Sequence, residues 1–265
     1  MAFKVVIPAR YASTRLQGKP LLDIAGKPMV VRVAEQAAKS GASEVVIATD
    51  FEKITQAAAQ HNIKAVMTRI DHASGTDRIA EVAQKLGWAD DEIVVNVQGD
   101  EPLIDPALIQ EVAAHLAQSK DAVMATACHA IHDEANMINP NIVKVVMDAS
   151  GNALYFSRAP IPYPRDGLQP QGLSPQNIPA EAGYSYVKNN IQAYRHIGIY
   201  AYRVGFLKQY AQLTVTELEK IESLEQLRVL HHGYKIGVTI TQNAPASGVD
   251  TQEDLDFVRS VWKDN

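Results

Sequence analysis

The chain of 265 residues contains one cysteine, Cys128, so no disulfide can form within it and a reducing compartment is expected. It also lacks a surplus of positive charge: 25 Lys+Arg stand against 30 Asp+Glu, a formal net charge of −5. A general nucleic-acid binder shows the opposite imbalance. No run approaches the roughly 18 consecutive apolar residues that a membrane span needs. The apolar start over residues 3–7 ends at Pro8, too soon for the core of a signal peptide. Two common signatures are missing as well, the phosphate loop G-x-x-x-x-G-K-[ST] and the nucleophile elbow G-x-S-x-G. These absences leave a cytoplasmic globular protein, an enzyme or a small-molecule binder, with no nucleic-acid or membrane partner. At about 150 residues per domain, the length allows one large α/β domain or one domain with an appendage.

What is present alternates between strand and helix. Residues 3–7 form a β-branched run that reads as a buried strand followed by a loop. Residues 28–39 read as a helix with Pro28 in its first turn, Val30, Val33, Ala34 and Ala37 on one face, and Gly41 as its stop. A strand over 45–48 follows, with Asp50 placed to cap the next helix. Residues 64–67 read as a short strand, and 76–86 as a helix ended by Gly87. Residues 93–97 are the strongest strand signal in the chain. Asp105-Pro106 opens a helix whose Ile109, Val112, Ala113 and Leu116 recur at i, i+3, i+4 and i+7. Such alternation over the first 127 residues predicts βαβ units and a parallel sheet covered on both faces.

The second half reads differently. Residues 142–147 and 154–157 flank the turn-rich Ala149-Ser150-Gly151-Asn152 and predict a hairpin. Residues 159–190 carry six of the thirteen prolines, too long a stretch for an ordinary connector, and read as a lid over 161–190. Strands over 197–202 and 236–240, one or two helices within 215–232 and a closing helix over 253–262 complete the pattern.

Four segments carry chemistry. The loop after the first strand, Pro8-Ala9-Arg10-Tyr11-Ala12-Ser13-Thr14-Arg15-Leu16-Gln17-Gly18-Lys19, begins where parallel sheets bind ligands. Arg10 and Lys19 could grip a phosphate chain there, or the loop is simply basic and solvated. Gln98-Gly99-Asp100-Glu101-Pro102 sets an acidic pair at the mouth of the strongest strand, a costly placement that a Mg²⁺ ion would relieve. The alternative is a turn capped by Asp100. Asp250 either caps the last helix, with Glu253 completing a capping box, or faces a site. His72-Ala73-Ser74-Gly75-Thr76-Asp77-Arg78 is either an anion- or base-binding helix start or an ordinary one. Cys128-His129-x-x-His132 supplies at most three zinc ligands in one run, and the cysteine reads better as a small buried residue.

Taken in order, several of these segments resemble one family, the 3-deoxy-manno-octulosonate (Kdo) cytidylyltransferases, or CMP-Kdo synthetases. The resemblance rests on Val6-Ile7-Pro8-Ala9-Arg10-Tyr11-Ala12-Ser13-Thr14-Arg15-Leu16, Gly18-Lys19-Pro20-Leu21, Ser74-Gly75-Thr76-Asp77-Arg78 and Asn96-Val97-Gln98-Gly99-Asp100-Glu101-Pro102. It continues through Tyr155-Phe156-Ser157-Arg158-Ala159-Pro160-Ile161-Pro162, Gly198-Ile199-Tyr200-Ala201-Tyr202-Arg203 and Gly248-Val249-Asp250-Thr251. It implies a single domain over 1–265 with the nucleotide-diphospho-sugar transferase fold, a Rossmann-like three-layer α/β/α sandwich with a mixed central sheet. Within it, a nucleotide-binding half runs to about residue 130, and a sugar-binding and dimerisation half follows.

The reaction implied is CTP + Kdo → CMP-Kdo + pyrophosphate, supplying lipopolysaccharide synthesis, in a homodimer. By the same resemblance Asp100 and Asp250 are Mg²⁺ ligands, with a second Mg²⁺ on the triphosphate, and Arg10, Lys19, Asp100 and Asp250 are catalytic. Pro8, Ala9, Arg10, Ser13, Arg15, Lys19, Ala73, Ser74, Arg78 and Asp100 line the nucleotide site. Gln98, Arg158, His196, Tyr200, Glu222 and Glu225 form the sugar side, with Arg158 opposite the Kdo carboxylate. Two other readings stay open: a CMP-sialic acid synthetase acting on another 2-keto-3-deoxy acid, and a catalytically silent CTP-binding regulator.

Overall fold

In the N-terminal strand β1 (Lys4–Ala9), successive side chains leave the backbone on opposite sides. Val5 and Ile7 enter one hydrophobic cluster and Val6 enters another, so the strand is apolar on both faces because both are covered. The computed structural model describes residues 2–11, 16–72, 74–163, 192–242 and 248–262.

After β1, a 3₁₀ turn over Lys19–Leu21 and the short hairpin of β2 (Asp23–Ile24) and β3 (Lys27–Pro28) lead into α1 (Met29–Ala38). Then come β4 (Glu44–Thr49), α2 (Glu52–Gln60), β5 (Lys64–Met67), α3 (Gly75–Lys85), β6 (Ile93–Asn96) and α4 (Pro106–Gln118). The remaining elements are β7 (Ala122–Ile131), α5 (Glu134–Ile138), β8 (Lys144–Met147), β9 (Ala153–Ser157) and β10 (Ala193–Arg203). The chain closes with α6 (Val204–Tyr210), α7 (Glu217–Glu222), α8 (Gln226–His231), β11 (Lys235–Ile240) and α9 (Gln252–Val261).

One sheet organises these elements, in the order β11-β7-β10-β6-β1-β4-β5, with β8 and β9 extending from β10. The expected parallel sheet holds over β6, β1, β4 and β5, and β11 is parallel to β7. Between these groups β10 runs antiparallel to both β6 and β7, which makes the sheet mixed. One face packs on α1, α2 and α4 through Val30, Ile54, Ile109 and Val112. The other packs on α3, α6 and α8 through Ile79, Phe206, Leu207 and Leu227. This is a three-layer sandwich.

Strand order reverses at β1, with β4 on one side and β6 on the other. That reversal opens a crevice at the carboxyl ends of β1 and β6, the place where open α/β sheets bind ligands.

Most predicted elements stand within a residue or two of their expected ends, and the 142–157 hairpin is the pair β8–β9. One strand goes unpredicted and one expectation fails. Strand β7, with four alanines among its ten residues, has little intrinsic β preference and is held by β10 and β11 on its two sides. Asp50 does not cap α2, whose N-cap is Phe51; its carboxylate instead accepts from Arg78 Nη2 at 2.7 Å. No helix among the described residues is long and apolar enough to cross a membrane.

Candidate active site

At the crevice, three segments remote in sequence meet on one ammonium group. Lys19 Nζ lies 2.6 Å from Asp100 Oδ2, 3.0 Å from Asp250 Oδ1 and 2.8 Å from the Val249 carbonyl oxygen. Burial of Lys19 favours its neutral form, but the hydrogen bond and charge of Asp100, followed by those of Asp250, outweigh it and raise the ammonium pKa.

Local backbone explains the convergence. Gly18 adopts φ 66° in front of the turn that starts at Lys19, a left-handed conformation that suits glycine. A Cβ on Gly99 would lie 2.7 Å from the Pro8 carbonyl oxygen, so only glycine lets the loops after β1 and β6 approach this closely. Val249 N donates to Asp100 O at 2.8 Å and ties the third segment to the second. Of the two readings of Asp250, the helix cap is not the one realised. Thr251 is the N-cap of α9, with Asp254 completing its capping box, which leaves the Asp250 carboxylate facing Lys19. Beside this cluster the Glu101 carboxyl is pushed up to about 8, by desolvation and then by the charge of Asp100.

The residues that the resemblance assigns to the nucleotide lie on and beside the same loops. Pro8 and Ala9 end β1, and Tyr11 stacks on Phe51 with ring centroids 4.0 Å apart. Arg10 is exposed and donates from Nη2 to the His72 carbonyl oxygen at 2.9 Å. Ser74 caps α3 in a reciprocal box with Asp77, so the plain helix-start reading of this segment is realised in the structure. Arg78 is fully buried and reaches Thr68 and Asp50 rather than an open face. Ser13, Arg15, Ala73 and the predicted lid from residue 164 onward lie outside the described residues.

Next to the acidic cluster, Gln98 opens into a cavity of about 290 Å³ between the sheet and α8, also lined by Tyr200, Glu225, Asn96, Gln226 and Tyr210. Among the described residues, Asn96 Oδ1, Tyr210 Oη and Gln226 Nε2 are buried without a hydrogen-bond partner. Three unmet polar atoms around one cavity leave it short of hydrogen bonds that a polar ligand can make. Desolvation raises the Glu225 carboxyl, and Arg10 is among the charges that reach it.

Gln98, Tyr200 and Glu225 therefore line one cavity. His196, Arg158 and Glu222 do not line the cavity, although the His196 ring packs on that of Tyr200 with centroids 5.4 Å apart. His196 lies at 2.9 Å from Thr126 Oγ1 and packs edge-on to Phe156. Arg158 donates from Nε to Glu222 O at 2.7 Å and from Nη1 to Pro140 O at 2.9 Å. Glu222 accepts from Ser157 Oγ at 2.6 Å and from Arg158 N at 2.9 Å. These two residues form a strap between the end of β9 and α7, because both lie where those elements terminate.

Sequence reading missed Asn96, Tyr210 and Gln226. Their one signal was a polar group in an otherwise apolar setting: Asn96 in the run over 93–97, and Gln226 between Leu224 and Leu227.

An α/β/α sandwich whose switch point carries two carboxylates, a lysine and a polar cavity offers a site for a polar, charged ligand, and comparison with known proteins gives the class, a nucleotidyltransferase. The family follows: a model of the cytidylyltransferases matches residues 4–236, and the chain belongs to that family. Over 98% of its length it is similar, at 42% identity and TM-score 0.84, to a CMP:2-keto-3-deoxy-manno-octonic acid synthetase complexed with CTP, covering 97% of that chain. A cytidylyltransferase from Leptospira borgpetersenii serovar Hardjo-bovis shares the fold at 15% identity and TM-score 0.57, over 98% of this chain and 85% of that one.

Proposed function

We propose that this chain is a CMP-Kdo synthetase, transferring the cytidylyl group of CTP to the anomeric hydroxyl of Kdo and releasing pyrophosphate. The observation that carries the reading is the convergence of Lys19, Asp100 and Asp250 beside the cavity that Gln98 opens. Similarity to a CTP-bound synthetase of the same reaction class supports it. A dimeric, cytoplasmic enzyme belongs to the same proposal.

In the transfer, the anomeric oxygen forms a bond to the α-phosphorus, the bond from that phosphorus to the β-phosphate bridge breaks, and the hydroxyl proton passes to solvent. Both reactants are anions, so the protein's task is positioning and charge neutralisation. Arg10 presents an exposed guanidinium at the carboxyl end of β1, and Lys19 turns an ammonium donor to the triphosphate by giving up one of its three present acceptors, so that both hold the chain as pyrophosphate leaves. Pro8, Ala9 and Ser74 shape the cytidine side, with Ser13, Arg15 and Ala73 assigned to it by family resemblance. Arg78, which the same resemblance assigns to that side, reaches Thr68 and Asp50.

Three oxygens, from Asp100, Asp250 and Val249, already surround one cation, the Lys19 ammonium. That donor set fits a hard cation such as Mg²⁺, with Asp100 and Asp250 as its ligands. Asp100 and Asp250 would hold the ion, and bound there it would supply Lewis-acid charge to the phosphate and lower the pKa of the sugar hydroxyl.

Asn96, Gln98, Tyr200, Tyr210, Glu225 and Gln226 take the hydroxyls of the sugar acid. Arg158 is assigned its carboxylate, exchanging the Pro140 carbonyl for it, with His196 and Glu222 holding the wall behind. Phosphorus-31 NMR of CTP, Kdo and Mg²⁺ with the enzyme tests the reading: a phosphodiester and pyrophosphate appear together, and neither appears when Kdo is left out.

A further inference from the structure

We propose that Glu81 is a positioning residue for the nucleotide site, acting through His72 on Arg10. The proposal rests on the reading of Arg10 as a CTP contact. Glu81 lies in the last turns of α3, its side chain only 12% exposed, and faces the segment that enters the helix. Its carboxylate gathers three donors. Oε2 pairs with His72 Nε2 and accepts from Arg69 N at 2.9 Å, while Oε1 pairs with Lys85 Nζ at 2.7 Å. The carboxylate thus holds residues 69 and 72 together and ties both to α3.

The same His72 offers its carbonyl oxygen to Arg10 Nη2 at 2.9 Å. Glu81 fixes the ring, the ring fixes the backbone of residue 72, and that carbonyl fixes one edge of the Arg10 guanidinium. Arg10 is exposed on its remaining side, which leaves the fork free for a phosphate. Ser74, two residues further on, begins the capping box of α3, so the clamp also sets how the chain enters that helix.

Burial pushes the Glu81 carboxyl up, but Lys85, the Arg69 amide and His72 together bring it down to about 2. It is therefore ionised at every pH at which the enzyme would work. Glutamate at this position touches no substrate in the reading above: it faces the outer groove between α3 and α6, with Arg69, His72, Lys85 and Lys208 around it. An ion pair that served only to hold α3 would leave ligand binding unchanged.

The test is calorimetric titration of CTP with excess Mg²⁺ into the wild type, Glu81→Gln, Arg10→Ala and the double variant, each with a melting curve. The proposal expects Glu81→Gln to weaken CTP about tenfold, the scale of one charge-assisted contact made poorly, while the Kdo KM stays within twofold. In the Arg10→Ala background the same substitution should change CTP affinity by less than about twofold, because the contact it positions is gone. His72→Ala, which leaves Glu81 its Arg69 and Lys85 partners, should reproduce both results even if Glu81→Gln folds poorly. CTP affinity unchanged in both single variants, or an undiminished loss in the Arg10→Ala background, overturns the proposal. Wild-type protein that does not bind CTP overturns the functional reading, and this one with it.

Discussion

Lys19 shows how much one side chain can hold together. Its ammonium bridges two carboxylates that lie 150 positions apart in the chain and offsets part of their mutual repulsion. Asp100→Asn removes one of those charges. The account expects the fold to survive, since Asp250 still pairs with Lys19, and turnover to fall at least a hundredfold, about 2.7 kcal/mol in the barrier. Circular dichroism and steady-state kinetics check it, and retention of more than about a tenth of the activity contradicts the role given to Asp100.

His196 makes a second residue-scale prediction. The Thr126 hydroxyl is within reach of Ile197 O at 3.0 Å and Ile199 O at 2.7 Å, so it donates to one of them and its oxygen accepts from His196 Nε2. Burial pulls this imidazole down from 6.5 to about 3. Between those values the unfolded chain binds the proton and the folded one does not, so stability drops as pH falls through that window. His196→Gln keeps a donor to Thr126 and should flatten the fall in melting temperature between pH 6.5 and 4.5. An unchanged slope would mean that His196 is not buried neutral.

At the scale of elements, the site depends on close approaches between strand ends. Gly99→Ala would drive a methyl group against the Pro8 carbonyl and part the loops after β1 and β6. The expected cost is about 1–3 kcal/mol of stability, as for other overpacked positions, with a loss of CTP binding beyond that. Thermal melting and CTP titration on the same preparation measure both. A variant that melts and binds like the wild type would show that this approach is slack.

The strands and helices with strong periodicity, such as β6 and α4, were legible in the sequence because local pattern and burial agree there. Strand β7 was not, since its alanines acquire their conformation from neighbours more than 60 residues away in sequence. Asp50 was misread for a similar reason. Adjacent residues alone suggest a cap, whereas Arg78, from the next helix but one along the chain, claims its carboxylate. The cavity polar groups Asn96 and Gln226 look unremarkable in one dimension, because only the fold turns their side chains toward a shared space.

For the molecule as a whole, the sheet order does the assembling. Strand β10 inserts antiparallel between β6 and β7, and a register shift between Ile197 and Tyr200 precedes the tyrosine that lines the cavity. One half of the sheet thus supplies Arg10, Lys19 and Asp100 and the other supplies Tyr200 and the approach to Glu225. Asp250 arrives from the segment before α9, which packs through Val249, Leu255 and Val258 against Ile24 and Met29.

The most direct test of the account is the initial rate of pyrophosphate release from CTP and Mg²⁺ with Kdo, with N-acetylneuraminate, and with no sugar acid. It predicts turnover with Kdo at least a hundredfold above the other two conditions, the preference that a polar site shows when its hydrogen-bonding groups are matched. Faster release with N-acetylneuraminate would make the enzyme a CMP-sialic acid synthetase. Binding of CTP with no release under any condition would make it a silent CTP-binding protein, and either result contradicts the assignment.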